Sequence, residues 1–333
     1  MSDHSLSAVG LLSKYRTETM GLGALLIFLF HHWKPLLPPY LPNHPQLLAW
    51  ERWWLDYGFC GVDLFFLLSG LGTVYALKKH PLPQFYLRRV QRVLPAFLVI
   101  TLALGLARGD SLLTILKAAS GYTFFLEDMY QIAWFIPAIL LFYLASPLLL
   151  WLMERWDRPV AVTLALLALW YIGSLLLPIR EDLYGMTNRF PSFLLGILAA
   201  KLEREGRFPR SRWVFLALPL LFFLGVLATG LPWEGPFLPL MYPVNRNLAS
   251  TLLGLSIALA LPLLLEKTQG LRWVQPVRTP LRFWGTYSLE VYLVQLLTVH
   301  GVLRASAVSP LLTNLLLLAL VSGLGWLLAR IQP

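Results

Sequence analysis

The sequence predicts an all-α integral membrane protein, a bundle of about ten transmembrane helices. Its 333 residues are 57% hydrophobic and only 13% charged, whereas soluble domains are about 25% charged. Mean hydropathy is +0.65. The 13 Trp and 13 Tyr residues fit the aromatic belts that membrane proteins place at the two bilayer interfaces. We expect a single domain over residues 1–333.

Ten apolar stretches are long enough to cross a bilayer, which takes about 20 residues. They cover residues 18–35, 57–77, 91–107, 133–152, 159–178, 188–203, 212–231, 247–265, 283–303 and 308–329. The stretch 188–203 is short and contains Pro191. Residues 112–126 are too short and too polar to span, which predicts an interfacial or re-entrant helix. Repeated Pro and Gly predict loops at 35–45 and 230–243.

The basic residues predict an orientation with both termini in the cytoplasm. In that arrangement 19 of the 27 Lys and Arg residues fall in inner segments and the other eight in outer segments. Lys and Arg concentrate on the cytoplasmic side of membrane proteins. This bias explains the net charge of +10 without nucleic acid as a partner. We therefore expect a multi-pass protein of the inner cell membrane, with the lipid bilayer as its surroundings.

Two adjacent histidines, His31 and His32, stand near the outer end of the first stretch. Ionisable side chains are costly in lipid unless they face protein or water, and imidazole transfers protons near neutral pH. Neighbouring helix residues point about 100° apart, so we expect at most one of the two to face the bundle centre. We favour a functional role over a structural histidine bonded to a carbonyl. Spacing alone does not choose between His31 and His32.

Asp63 is the acidic residue well inside the second stretch, at a depth similar to that of His31. A carboxylate there could hold an imidazole in one tautomer and stabilise its protonated form. Capping of a neighbouring helix, or pairing with an arginine, is an equally open alternative.

Three arginines, Arg88, Arg89 and Arg92, mark the inner end of the third stretch. Arg88 and Arg92 are four residues apart and share a helix face. Guanidinium groups can clamp the phosphates of a cytosolic donor. Anchoring to anionic lipid headgroups is the alternative, and the cluster taken alone favours it.

Further polar residues lie inside apolar stretches. Asn188 and Arg189 open the sixth stretch from the outer side, and Glu290 lies in the middle of the ninth. A carboxylate at such a depth should be neutral, paired or facing water. Glycine-rich phosphate loops, paired metal ligands and a Gly-x-Ser-x-Gly elbow do not occur in the sequence, so no metal is predicted.

Taken in order, these segments resemble the acyltransferase-3 family of multi-pass membrane acyltransferases over nearly the whole chain. Each segment alone is weak, but six in the same order are fairly specific. They are Gly21–His31, Gly61–Gly70, Phe85–Pro95, Trp134–Pro137 with Tyr143 and Pro147, Arg189–Pro191 with Gly196, and Gly285–Leu293.

The resemblance implies an acyl-CoA donor, with acetyl-CoA as the first choice, on the cytosolic side. It also implies transfer of an acetyl or other short acyl group to a hydroxyl of an extracytoplasmic acceptor, a cell-surface carbohydrate. His31 takes the family's histidine position as the general base, with Asp63 as its partner. The residues expected to bind coenzyme A are Arg16, Arg88, Arg89 and Arg92. Those expected to contact the acceptor are His32, Trp134, Asn188, Arg189, Glu290 and Tyr292.

Two positions depart from the family pattern. The family's arginine, which ten intervening residues separate from the histidine, is Met20 here, and Arg16 lies four residues earlier on the same helix face. Gln295 stands where the family commonly has histidine. Either change would mark a different acyl group, a different acceptor or a lapsed enzyme. A transporter or exporter of a small organic acid or glycan precursor is the alternative function, and a scaffold in a polysaccharide-assembly complex is the third.

Overall fold

A computed structural model describes residues 7–127, 133–176, 183–208, 211–229, 238–299 and 309–331 of the chain. Every regular element within these ranges is a helix, and no strand occurs among them. The predicted all-α fold class is therefore confirmed.

The helices follow the apolar stretches closely. In chain order they are α1 (Ala8–Lys14), α2 (Arg16–His32), α3 (Pro45–Tyr57), α4 (Gly61–Lys79), α5 (Leu82–Arg108), α6 (Leu112–Ala119), α7 (Tyr122–Leu126), α8 (Phe135–Arg155), α9 (Pro159–Leu176), α10 (Tyr184–Thr187), α11 (Phe190–Arg204), α12 (Ser211–Thr229), α13 (Leu238–Thr268), α14 (Gln275–Thr286), α15 (Ser288–Val299) and α16 (Pro310–Ile331). Two short 3₁₀ turns, Gly58–Cys60 and Arg272–Val274, precede α4 and α14.

Among the residues that the structure describes, five helical segments are long and apolar enough to cross a membrane. They are Pro45–Lys79, Leu82–Arg108, Phe135–Arg155, Leu248–Thr268 and Pro310–Ile331. Shorter apolar helices occupy Pro159–Ser174, Ala217–Thr229 and Ser288–Leu297. Helices overlap all ten predicted stretches, while the number of crossings and the side of the termini stay predictions.

Three boundaries differ from the sequence prediction. The loop predicted over residues 230–243 is wrong for residues 238–243, because α13 begins at Leu238. Pro239 lies in the first turn of this helix, where its missing N–H breaks no intrahelical hydrogen bond. The stretch predicted at 283–303 is broken at Tyr287, between α14 and α15, and its last residues, 300–303, lie outside the described ranges. Pro191 likewise lies in the first turn of α11, so it starts that helix rather than interrupting it.

The helix predicted over residues 112–126 is two short helices, α6 and α7. They are separated at Gly121, whose φ of +77° lies in the left-handed region. Glycine adopts this conformation without the steric cost that other residues carry, so the chain turns there.

Glycine contacts bring α2 and α4 into the centre of the bundle. A Cβ added to Gly21 of α2 would lie 1.8 Å from the carbonyl oxygen of Leu281 in α14. One added to Gly70 of α4 would lie 2.1 Å from the carbonyl oxygen of Phe193 in α11. Small residues allow such close approach between membrane helices. These contacts fix the rotation of α2 and α4, and with it the faces that meet the site below.

Candidate functional site

A cavity of about 130 Å³ lies between α2, α4, α5, α8 and α15. Its polar lining groups are Arg16, Ser69, Arg89, Arg92, Tyr143, Ser288 and Tyr292. Its apolar lining consists of Met20, Ile27, Phe65, Val93, Phe135, Ile139 and Leu289. The cavity therefore joins a cluster of guanidinium groups to an apolar wall inside the bundle.

One face of α2 supplies the cavity with Arg16, Met20 and Ile27. These residues follow helical spacing, and His31 lies one turn beyond Ile27 on the same face. The helix rises about 1.5 Å per residue, so Arg16 and His31 are roughly 22 Å apart along its axis. A single face of α2 thus carries a cation at its N-terminal end and an imidazole at its C-terminal end.

The first arginine of the cavity, Arg16, is largely enclosed. Its guanidinium packs over Gly72, where an added Cβ would lie 3.3 Å from Nη2. Its Nε is buried and has no hydrogen-bond partner among the described residues. Met20, where the resemblance implies an arginine, lines the same cavity one turn further along α2. Arg16 therefore brings to this cavity a charge that Met20 does not supply.

Arg89 and Arg92 reach the same cavity from α5. Arg89 lies over the Tyr143 ring, 4.8 Å from its centre, and its Nη2 donates to the Gly72 carbonyl at 3.2 Å. Arg88 is exposed and is not among the cavity-lining residues. Arg89, Arg92 and Val93 share an arc of about 100° on α5, and Arg88 lies outside that arc. The three predicted arginines are therefore not equivalent, and two of them face the cavity.

Glu290 pairs with Arg92 rather than facing the cavity. Nη1 of Arg92 is 2.5 Å from Oε1 of Glu290, and Nη2 is 3.4 Å from Oε2. Glu290 is only 2% exposed and is not among the lining residues, although Ser288, Leu289 and Tyr292 of the same helix are. The sequence analysis expects this carboxylate to be neutral, paired or facing water, and the structure shows the paired state. Its expected contact with the acceptor has no support from this geometry.

The two histidines differ in their surroundings. His31 is exposed, with its ring centre 4.7 Å from that of Phe30. His32 is half-buried against Phe28 at 5.4 Å, and its Nε2 is buried without a hydrogen-bond partner among the described residues. Asn314 fixes the end of this helix, since its side chain accepts from the Lys34 N–H and donates to the Lys34 carbonyl, each at 2.8 Å.

Asp63 lies in a separate buried cluster formed by α4, α11 and α13. Ser192 donates to its Oδ1 at 2.5 Å, and Ser250 donates to Oδ2. Nε of Arg189 lies 3.3 Å from the same Oδ2. No hydrogen bond or ion pair joins Asp63 to His31, although the structure describes both residues. Asp63 thus pairs with Arg189 and not with His31. Pairing with an arginine is the alternative that the sequence analysis left open.

The remaining acceptor candidates lie near the start of α11 and on α15. Arg189 is 6% exposed and lies over the Phe59 ring at 5.4 Å. Asn188 is also buried, and its Oδ1 has no hydrogen-bond partner among the described residues. Trp134 packs against Gly185, where an added Cβ would lie 3.1 Å from the indole. Tyr292 is buried against Phe135 and lines the arginine cavity instead.

Several site residues escaped sequence analysis because their role depends on another helix. Ser192 and Ser250 hold Asp63 from α11 and α13, and serine is common in any membrane helix. Gly72 accepts the Arg89 hydrogen bond through its carbonyl, which no sequence signal marks. Tyr143 belonged to one of the matched family segments, and that signal could have identified it.

The chain is similar in sequence to known proteins. Relatives provisionally named O-acetyltransferases in Staphylococcus aureus strains COL and N315 are 32% identical to the chain over 94 residues. That match covers 25% of this chain and 16% of the length of each relative. No solved structure matches the chain. The family model of the acyltransferase domain matches residues 21–330, a range that includes every cavity-lining residue except Arg16 and Met20, and the protein therefore belongs to the acyltransferase-3 family.

Proposed function

We propose that the protein is a membrane O-acyltransferase that moves an acetyl or other short acyl group from cytosolic acyl-CoA to a hydroxyl of an extracytoplasmic carbohydrate. Family membership and the O-acetyltransferase names of the relatives support acyl transfer. The proposal includes ten membrane crossings, cytoplasmic termini and a place in the inner membrane, for which the basic-residue bias argues.

The face of α2 that runs from Arg16 to His31 is the observation that carries this proposal. Arg16, Arg89 and Arg92 supply three guanidinium groups to one cavity, and the single ion pair at these groups within the described ranges is that of Arg92 with Glu290. Uncompensated charge inside a membrane bundle is costly. An anionic ligand such as the phosphates of coenzyme A would neutralise it, with the donor's uncharged arm against the apolar lining.

The transfer step assigns His31 the role of general base. A ring nitrogen of His31 accepts the proton of the acceptor hydroxyl while the oxygen attacks the thioester carbonyl. The tetrahedral intermediate collapses, the carbon–sulfur bond breaks, and the protonated imidazole returns its proton to the departing thiolate. The products are the acyl ester and coenzyme A. His31 is exposed at the outer end of α2, which leaves its ring open to an acceptor from that side.

The acceptor is proposed to lie near Trp134 and Asn188. The unpartnered buried Oδ1 of Asn188 could accept from a sugar hydroxyl, and the indole offers an apolar face of the kind that sugars stack against. His32 is a further candidate through its unpartnered Nε2. Arg189 is engaged by Asp63, so its part is to hold this region in place.

The experiment is release of coenzyme A from acetyl-CoA by the purified full chain in nanodiscs. We expect His31→Ala to reduce release at least about 100-fold, the usual contribution of a general base. His44→Ala is the matched control, because His44 is exposed directly before α3 and has no role in the proposed site, so this variant should retain most of the donor-dependent rate. Both variants should unfold thermally like the wild type.

Two results would count against the proposal. Wild-type release by His31→Ala would remove His31 from the chemistry. Flux of an organic acid or glycan precursor across sealed vesicles, without thioester consumption under any donor and acceptor pair, would favour transport.

A further inference from the structure

We propose that Glu290 is a positioning residue: it holds the guanidinium of Arg92 at the cavity wall so that Arg92 can bind an anionic group of the donor. This inference rests on the proposed function, because it concerns how the same cavity binds its donor. The sequence analysis predicts a different role for Glu290, a direct contact with the acceptor.

The contact between Glu290 and Arg92 involves both carboxylate oxygens, and the two side chains differ sharply in their exposed fraction. Both carboxylate oxygens of Glu290 face the guanidinium of Arg92, at 2.5 Å and 3.4 Å. The Arg92 side chain is 51% exposed, whereas that of Glu290 is 3% exposed. A buried carboxylate therefore holds a long side chain that is otherwise half exposed.

Without this contact we expect the Arg92 side chain to favour conformations that point away from the cavity wall. Long basic side chains in membrane proteins extend their charged ends towards water, and an arginine loses several rotatable degrees of freedom when it is fixed. A guanidinium has five N–H donors, and Glu290 occupies two of them. The other three donors have no hydrogen-bond acceptor among the residues that the structure describes, and they can bind a ligand.

The charge balance leaves the cavity attractive to anions. Glu290 offsets one of the three guanidinium groups, while the structure records no carboxylate at Arg16 or Arg89 within the described ranges. Glu290 itself stays out of the cavity lining, so it does not present its charge directly to a bound phosphate. Glu290 therefore acts through Arg92, as a positioning residue, and does not bind the donor directly.

A double-mutant cycle tests this coupling. Binding of coenzyme A is measured directly on the full chain in nanodiscs for Glu290→Gln, Arg92→Gln and the double variant. We expect each single variant to lower affinity about tenfold, the scale of a lost hydrogen bond to a charged group. The double variant should bind as weakly as Arg92→Gln alone, because Glu290 has no effect once Arg92 is gone. Glu290→Asp keeps the charge and should restore part of the affinity.

Arg88→Gln is the matched control, since Arg88 is exposed on the same helix and does not line the cavity. Its affinity for coenzyme A should stay within about twofold of wild type. If Arg92→Gln fails to fold because the buried Glu290 carboxylate loses its partner, the comparison of Glu290→Gln with the wild type still decides. The inference is overturned if the double variant binds differently from Arg92→Gln, or if Glu290→Gln binds as well as the wild type or better.

The design separates this inference from the proposed function. If Arg92→Gln binds coenzyme A as Arg88→Gln does, the proposed donor site itself fails. If Arg92→Gln weakens binding while Glu290→Gln does not, the donor site stands and only the positioning role of Glu290 fails.

Discussion

At the scale of single residues, Asp63 is the position where structure changes the interpretation most. Its carboxylate is 1% exposed and engages Ser192, Ser250 and Arg189. A buried ion pair adds little net stability compared with an apolar pair, but removal of one partner leaves a charge that nothing compensates. Asp63 therefore belongs to the framework that joins α4, α11 and α13.

Asp63→Asn should destabilise the protein by about 3–5 kcal/mol, because the Arg189 charge stays buried without its partner. The double variant Asp63→Asn with Arg189→Gln should recover part of this loss. The measurement is the free energy of unfolding in detergent micelles. A singly substituted protein that keeps wild-type stability and loses only acyl transfer would return Asp63 to the catalytic machinery.

At the scale of elements, α2 and α14 pack closely enough to depend on a pair of glycines. A Cβ at Gly285 would lie 1.8 Å from the Thr17 carbonyl oxygen and 3.0 Å from the Gly21 nitrogen. Both near atoms belong to the backbone, so no side chain can move aside to make room. The face of α2 that carries Arg16 and His31 is held in rotation by this contact.

Gly285→Ala should therefore lower the free energy of unfolding by about 3 kcal/mol, the cost of an overpacked contact. Gly323→Ala in α16 is the control, since an added Cβ there meets nothing within 4 Å. The control should be neutral or slightly stabilising, because alanine favours helix over glycine. Thermal unfolding of the two purified variants provides the comparison, and equal behaviour would contradict the close packing of α2 on α14.

At the scale of the whole molecule, the proposed orientation places the α4–α5 connection inside and the α5–α6 connection outside. Cysteine labelling with a membrane-impermeant maleimide measures this in a Cys60→Ala background, since Cys60 is the one native cysteine. We expect Gln84→Cys to be labelled only in inverted vesicles and Ser111→Cys only in intact cells. Labelling of both from one side would show that α5 does not cross the membrane.

Much of the fold could be predicted because the signals lie within single segments. Apolar stretches long enough to span a bilayer predict helices wherever they occur, and all ten overlap described helices. The break at Tyr287 and the helical start of α13 escaped prediction. Tyrosine is not a helix-breaking residue, so residue type does not mark the break at Tyr287. Proline is tolerated in a first turn although it usually indicates a loop.

The sequence by itself determined the all-α membrane character and the shared face of α2 that bears Arg16, Met20 and His31, because helical periodicity is a local property. Only the tertiary structure decided that Arg89 rather than Arg88 faces the cavity. It also decided that Asp63 contacts Ser192, 129 residues away in the chain, and that Glu290 contacts Arg92, 198 residues away. Such pairings depend on the rotation and relative height of packed helices. Those are set by glycine contacts between distant segments, which no single segment encodes.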